Sequence, residues 1–206
     1  LMDPIQKLSA LFAEFPGIGT RQSRRFVYFL LKRSPAYRRE LVALIQSLEG
    51  SVLECPRCHR YFMKKYETRE DRCLLCADTG RDQTILLVVE KDSDLEAIER
   101  SGTYHGTYFI LGGTLPILEK DPASKIKIIE LKRLIEEEPM TLKEIILACA
   151  VTPESEHTAE YVRQSIDETA NDHLISITTL GRGLSTGTEL EYSDAETLRY
   201  ALEGRK

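Results

Sequence analysis

Ile85-Leu86-Leu87-Val88-Val89-Glu90 is the stretch that decides how this chain folds. The apolar run is too short for a helix and too uniform for a half-solvated strand. It predicts a strand buried on both faces, with Glu90 at its carboxyl end. Downstream the pattern recurs. Tyr108-Phe109-Ile110-Leu111 predicts a second strand closed by Gly112-Gly113, residues 144–149 a third, and Ile175-Ser176-Ile177-Thr178 a fourth. Helical patterns at 93–101, at 126–138, and from Glu154 to about 165 fall between them. Alternating strands and helices predict an α/β fold with a mainly parallel sheet and right-handed crossovers. A strand and helix tail follows, with its closing helix at 194–203. Gly181-Arg182-Gly183-Leu184-Ser185-Thr186-Gly187 lacks the lysine and spacing of a phosphate-binding loop and reads as a turn-rich connection.

Upstream of the sheet lies a different chemistry. Cys55-Pro-Arg-Cys58 and Cys73-Leu-Leu-Cys76 form two CxxC knuckles separated by 14 residues. Each knuckle turns two thiolates inward, and two knuckles complete a tetrahedron, so one structural Zn²⁺ per chain is predicted on Cys55, Cys58, Cys73 and Cys76. Residues 54–76 are too few to build much core, and the metal supplies their folding energy. His59 reads as a surface residue, because four cysteines already satisfy the metal. Tyr61, Phe62 and Tyr66 read as packing groups of this module. The fifth cysteine, Cys149, lies in an apolar run without a partner. Cysteines used in this way point to a reducing cytoplasm.

The N-terminal segment is helical. Ile5, Leu8, Leu11, Phe12 and Phe15 share one face of a helix over 3–15. Pro16-Gly17-Ile18-Gly19 breaks it, because proline fixes φ and glycine tolerates a turn that other residues do not. Thr20 is the expected N-cap of the next helix, and a third helix spans 36–48. Helix, Pro-Gly-Ile-Gly hairpin and basic helix together resemble the helix-hairpin-helix DNA-binding motif. Backbone amides at Gly17, Gly19 and the helix start can face a phosphate, with Arg21, Arg24 and Arg25 beside them.

Charge sharpens this reading. The chain carries a net charge of −5, yet residues 1–80 hold 14 Lys and Arg against 9 Asp and Glu. The segment 21–39 contains Arg21, Arg24, Arg25, Lys32, Arg33, Arg38 and Arg39 and no acid, which favours phosphate binding over a merely solvated face. No apolar run approaches the roughly 18 residues of a membrane helix, so no membrane role is expected. Asp3, Lys7 and Glu14 interrupt the apolar residues at the start, so no signal peptide is expected either.

Ligand sites in open parallel sheets form beyond the carboxyl ends of the strands. Glu90 follows the first strand, and Glu154-Ser155-Glu156 follows the third. Three carboxylates meeting there could hold Mg²⁺ and support phosphoryl transfer. The arrangement resembles a Toprim domain, whose signature is a glutamate after one strand and Asp-x-Asp after a later one. Here the second element is Glu-x-Glu. The carboxylates are therefore expected to bind or support rather than catalyse, and a Mg²⁺-dependent Toprim nuclease or nicking enzyme is the alternative.

The order of parts resembles the RecR family of bacterial recombination mediators from about residue 4 to the C-terminus. Phe15-Pro-Gly-Ile-Gly19, the four cysteines and the Toprim-like strands carry the likeness, together with the closing block at 181–205 (Gly181-Arg-Gly-Leu184, Leu190-Glu-Tyr-Ser-Asp194 and Ala201-Leu-Glu-Gly-Arg205). The resemblance implies a helix-hairpin-helix module at 1–53, a zinc module at 54–79, a Toprim-like domain at 80–175 and a C-terminal segment at 176–206. It implies a non-enzymatic DNA-repair factor, a homodimer or ring-shaped homotetramer acting with RecO and RecF to load RecA on single-stranded DNA. Arg21 and Arg25 would bind DNA of either strandedness with little sequence preference, and Lys32 and Arg33 extend that surface. Glu90, Glu154 and Glu156 would form the acidic face that meets RecO. The chain departs from the family at Cys149-Ala150-Val151 after the third strand, at Ser155 between the paired glutamates, and at Ser185, Gly187 and Thr188 in the closing loop.

Overall fold

The computed structural model describes residues 3–64, 72–137, 141–181, 183, 184, 187 and 189–204. The chain divides into two compact units, Leu1–Val52 and Leu53–Lys206. In the first, α1 (Pro4–Ala13), α2 (Thr20–Leu31) and α3 (Pro35–Ser51, kinked at Glu49 and Gly50) follow one another. In the second, β1 (Val52–Glu54) begins at the boundary and pairs with β2 (Tyr61–Met63), and the short α4 (Leu74–Ala77) completes the cysteine module.

The apolar run at 85–89 forms the inner part of β3 (Asp82–Val89). Then come α5 (Asp92–Ser101), β4 (Gly106–Ile110), α6 (Ile128–Glu137), β5 (Glu144–Ala148), α7 (Pro153–Asp172), β6 (Ser176–Thr179) and α8 (Ala195–Glu203). The four strands form one sheet in the order β4-β3-β5-β6, and every pairing is parallel. Helix α7 runs to Asp172, about two turns past the predicted end. Its later residues Ile166 and Ala170 continue the apolar stripe and are buried.

Alternation along the strands splits the core in two. Leu86, Val88, Phe109, Ile145 and Leu147 face Leu131 and Ile135 of α6 and Val162 and Ile166 of α7. Leu87, Val89, Tyr108, Ile110 and Ala148 face Leu95 of α5, with Leu75 of the cysteine module against the same layer. Helices on both faces explain why β3 is apolar without a break from Ile85 to Val89. Each fully buried leucine or isoleucine contributes roughly 1.5–3 kcal/mol relative to exposure.

At the amino end of the strands, the hydroxyl of Tyr104 donates to the carbonyls of Ile85 and Thr107 at 3.0 and 2.9 Å. Gly106 lies beneath that ring. A Cβ there would meet Tyr104 Cζ at 2.6 Å and the Ile85 carbonyl oxygen at 2.8 Å, so only glycine fits. Beside them Glu99 accepts from both Arg81 and Tyr108.

Candidate metal centre and nucleic-acid interface

The two knuckles bring four thiols together. The Sγ atoms of Cys55, Cys58, Cys73 and Cys76 all lie within 4.8 Å of one another, and Cys58 and Cys73 are 3.6 Å apart. A tetrahedron with metal–sulfur bonds of about 2.3 Å has edges of about 3.8 Å, whereas a disulfide needs about 2.05 Å. The five cysteines are free, and the cluster fits a tetrahedral metal ion. Cys55, Cys58 and Cys73 are buried with Phe62, whereas Tyr61 points to solvent. Hydrogen bonds from Cys58 and then Cys73 hold the Cys55 thiol far below its ordinary range, and the bond to Cys55 pushes the Cys58 thiol up. A cation bound by the four sulfurs would displace the remaining thiol protons, which makes its affinity pH-dependent.

His59 departs from the surface role expected of it. It takes φ +61°, lies 5.1 Å from the Phe109 ring, and sets Nδ1 2.7 Å from Glu54 Oε1. Lys127 reaches the same carboxylate oxygen at 3.3 Å. Burial raises the Glu54 pKa, but the hydrogen bond with His59 and the Lys127 charge outweigh it and hold the carboxyl below the usual range. The Ile110 amide donates to the Cys58 carbonyl at 2.9 Å, and the Tyr61 amide donates to Asp92 at 3.0 Å. These bonds, with Leu75 beneath, dock the cysteine module on the sheet. Tyr66, Lys65 and Arg69 lie outside the described residues, as do Arg182, Ser185, Thr186, Thr188 and Arg205.

In the N-terminal unit, the edge of Phe12 meets Phe15 and Phe26, each at 5.7 Å, and locks α1 to α2. Ser9 of α1 and Ser23 of α2 are both buried. Gly17 takes φ +74°, the left-handed turn expected of the hairpin. The N-cap is Gly19, not Thr20. Gly19 is extended, its carbonyl accepts from the Ser23 amide, and no side chain caps the first amides of α2. Those amides remain open donors at the positive end of the helix dipole. Arg21, Arg24, Arg25, Lys32 and Arg33 are exposed, and among the described residues none pairs with a carboxylate. Arg38 belongs to a different class. Its Nη1 donates to the carbonyls of Leu30, Leu31 and Arg33 at 3.2, 3.4 and 2.9 Å, closing the end of α2.

The strand-end carboxylates do not gather as the sequence suggested. Glu90 is 2% exposed, with Oε1 lacking a hydrogen-bond partner, while Glu154 and Glu156 stand exposed on the first turn of α7. Among the described residues, the four cysteines alone come close enough to share a metal ion. The helix start is organised by Thr152, whose Oγ1 accepts from the Ser155 amide at 3.2 Å. Thr158 donates to the Glu154 carbonyl and accepts from the Leu115 amide, which ties the loop after β4 to this turn.

Parallel strands between two helical layers, an acid closing β3 and a four-thiol module docked on the sheet edge define a Toprim-type α/β protein with a metal-binding module. Residues 84–179 match the Toprim domain family, and residues 183–206 match the family described as RecR, C-terminal. The Recombination protein RecR of Chloroflexus aggregans is 36% identical over 98% of this chain and 93% of its own length. Those of Anaeromyxobacter sp. and Ligilactobacillus salivarius are 35% and 33% identical, each over 99% of this chain and 97% of their own lengths. The chain belongs to the RecR family of recombination proteins. That membership favours a role in recombinational repair over the nuclease alternative. No helix among the described residues is long and apolar enough to cross a membrane.

Proposed function

We propose that this protein is a non-enzymatic mediator of recombinational repair that grips DNA phosphates through the start of α2. The observation that carries this reading is the pairing of uncapped first-turn amides with Arg21, Arg24 and Arg25, none of them engaged by a described carboxylate. Amides at Gly17 and Gly19 approach one phosphate while the arginines neutralise its neighbours, and Lys32 and Arg33 extend the track. Such contacts hold DNA of either strandedness without reading sequence. Residues 1–53 serve as the helix-hairpin-helix module, 54–79 as the zinc module, 80–175 as the Toprim-like domain and 176–206 as the C-terminal assembly segment. Zinc is the ion the four thiolates would hold, and its role there is to fold the module. The protein acts in the bacterial cytoplasm with RecO and RecF to load RecA. Glu154 and Glu156 form the exposed part of the acidic face for RecO, and Glu90, buried at the end of β3, supports that face from within the fold.

Assembly into a ring is supported by α3, where Val42, Leu44, Ile45 and Leu48 are all more than half exposed. An isolated helix does not keep so much apolar surface in water without a partner, and a second copy is the partner proposed. The test of DNA binding is a gel shift with Arg21→Ala plus Arg25→Ala at two salt concentrations. A severe loss and a shallower salt dependence are expected; unchanged affinity would move the DNA surface elsewhere. Plasmid incubated with Mg²⁺ and the wild-type protein is expected to stay supercoiled, and nicking that disappears in Glu90→Gln would revive the enzyme reading.

A further inference from the structure

Between α2 and α3 the cation track borders two aromatic rings that phosphate binding does not use. Phe29 and Tyr37 stand edge to face at 6.3 Å, and the Arg33 guanidinium lies 4.3 Å from the Phe29 centroid and 5.6 Å from that of Tyr37. Phe29 is 44% exposed and Tyr37 40%. The corner is held in one shape by local bonds. Ser34 caps α3 by accepting from the Tyr37 amide at 3.2 Å, Pro35 fixes the first helical φ, and Arg38 clasps three carbonyls of the preceding turn.

The surroundings select the occupant. Phe29 has Arg25 one turn before it and Lys32 and Arg33 one turn after, all exposed. Subunit interfaces use aromatic residues and arginine freely, but a two-fold contact sets a patch against its own copy, so that its cations face like charges. A patch centred on two rings and ringed by cations, with no acid from 21 to 39, is therefore poorly suited to a second copy of the same basic surface. The cation-free stripe Leu41, Leu44, Ile45 and Leu48 on α3 suits one better. Rings and a guanidinium plane beside a phosphate track match an unpaired nucleobase, which stacks on either surface.

We propose that Phe29, Arg33 and Tyr37 form a stacking platform for an unpaired base of single-stranded DNA. The proposal rests on the reading that the α2 cations hold the phosphates, and it adds a preference that phosphate contacts cannot give. A strand whose bases are free gains the stack, whereas a duplex, whose bases are already stacked, does not.

The test uses the full chain and fluorescence anisotropy with three labelled probes of equal length: oligo-dT, the same strand built from abasic residues, and a duplex. Wild type binds oligo-dT about tenfold more tightly than the abasic strand, the gain of one stacked base. Phe29→Leu plus Tyr37→Leu keeps the apolar bulk, lowers oligo-dT affinity to the abasic level, and leaves abasic binding and solution mass unchanged. Equal wild-type affinity for dT and abasic strands overturns the platform without any variant. So does a preference that survives the double substitution, and a changed oligomeric mass in the variant assigns the rings to a contact between copies instead. Arg21→Ala plus Arg25→Ala separates the two layers of the argument. Loss of binding to every probe supports the phosphate track, whereas unchanged abasic binding refutes the track while leaving the dT preference to be judged on its own.

Discussion

Arg38 and Arg39 are adjacent cations with the same formal charge, yet the structure gives them different work. Arg38 Nη1 donates to carbonyls of Leu30, Leu31 and Arg33, whereas Arg39 is exposed and makes no described ion pair. Nη1 carries two hydrogens, so it satisfies at most two of the three acceptors well at once. A charged bond to a neutral carbonyl contributes about 1.5–3 kcal/mol when buried, and partial exposure here reduces each to about half that. The interaction of a cation with the helix C-terminus adds about 0.3–1 kcal/mol. Arg38→Ala should therefore destabilise the N-terminal unit by about 2 kcal/mol, roughly a thirtyfold increase in local opening. Arg39→Ala should change stability by less than about 0.5 kcal/mol. Hydrogen exchange of the last-turn amides of α2 reads this directly. Both substitutions remove one charge, and only Arg38→Ala should accelerate exchange. Equal exchange in the two variants would refute the claim that Arg38 is a helix cap and return it to the pool of DNA-facing cations.

Other outcomes follow from the packed regions. Metal-loaded protein should react with a thiol reagent slowly at neutral pH; chelation should expose the four clustered thiols together, with loss of the module's near-ultraviolet signal. Cys149 should stay unreactive, because burial and the charges of Glu90 and Asp94 push its thiol up to about 12 from an ordinary value of 9.0. The unfolded thiol ionises first as pH rises, so this group's contribution to stability is present below pH 9 and declines between pH 9 and about 12, a decline that Cys149→Ala should remove. Gly106→Ala should destabilise by about 2–4 kcal/mol in chemical denaturation, since the Ile85 carbonyl cannot retreat from the added methyl. Leu174 is 91% exposed with φ +56°, so Leu174→Gly should raise stability by about 1 kcal/mol; a loss would mean the side chain has a partner.

The parallel sheet and the thiol cluster were legible in the sequence because their signals are local in composition. A run of five apolar residues needs burial on both faces, and two knuckles need one ion. Charge and periodicity were less informative where long-range contacts decide. The acid-free segment 21–39 reads as uniform, yet one of its arginines closes a helix and another lies over two rings. Leu44, Ile45 and Leu48 carry helical spacing that ordinarily marks a core face, yet each is more than half exposed. Spacing says which residues share a face, and it says nothing about what that face meets. The position of Glu90 after a strand points to an acidic cluster. Its burial depends on packing from elements far away in the chain. The same holds for His59, whose pairing with Glu54 and Phe109 belongs to the docked module and not to the CxxC pattern.

The bond from the Ile110 amide to the Cys58 carbonyl has a further consequence. Strand β4 is the outer strand of the sheet beside β3, and its residues are buried along its whole length. An outer strand with unpaired amides and apolar side chains is a template for pairing with another molecule. The cysteine knuckle takes the hydrogen bond at Ile110 and sets His59 against Phe109, so it covers part of the edge that another strand would need. Stripping the ion should then leave a soluble-looking sheet that self-associates on standing, faster at higher protein concentration, before its helices melt.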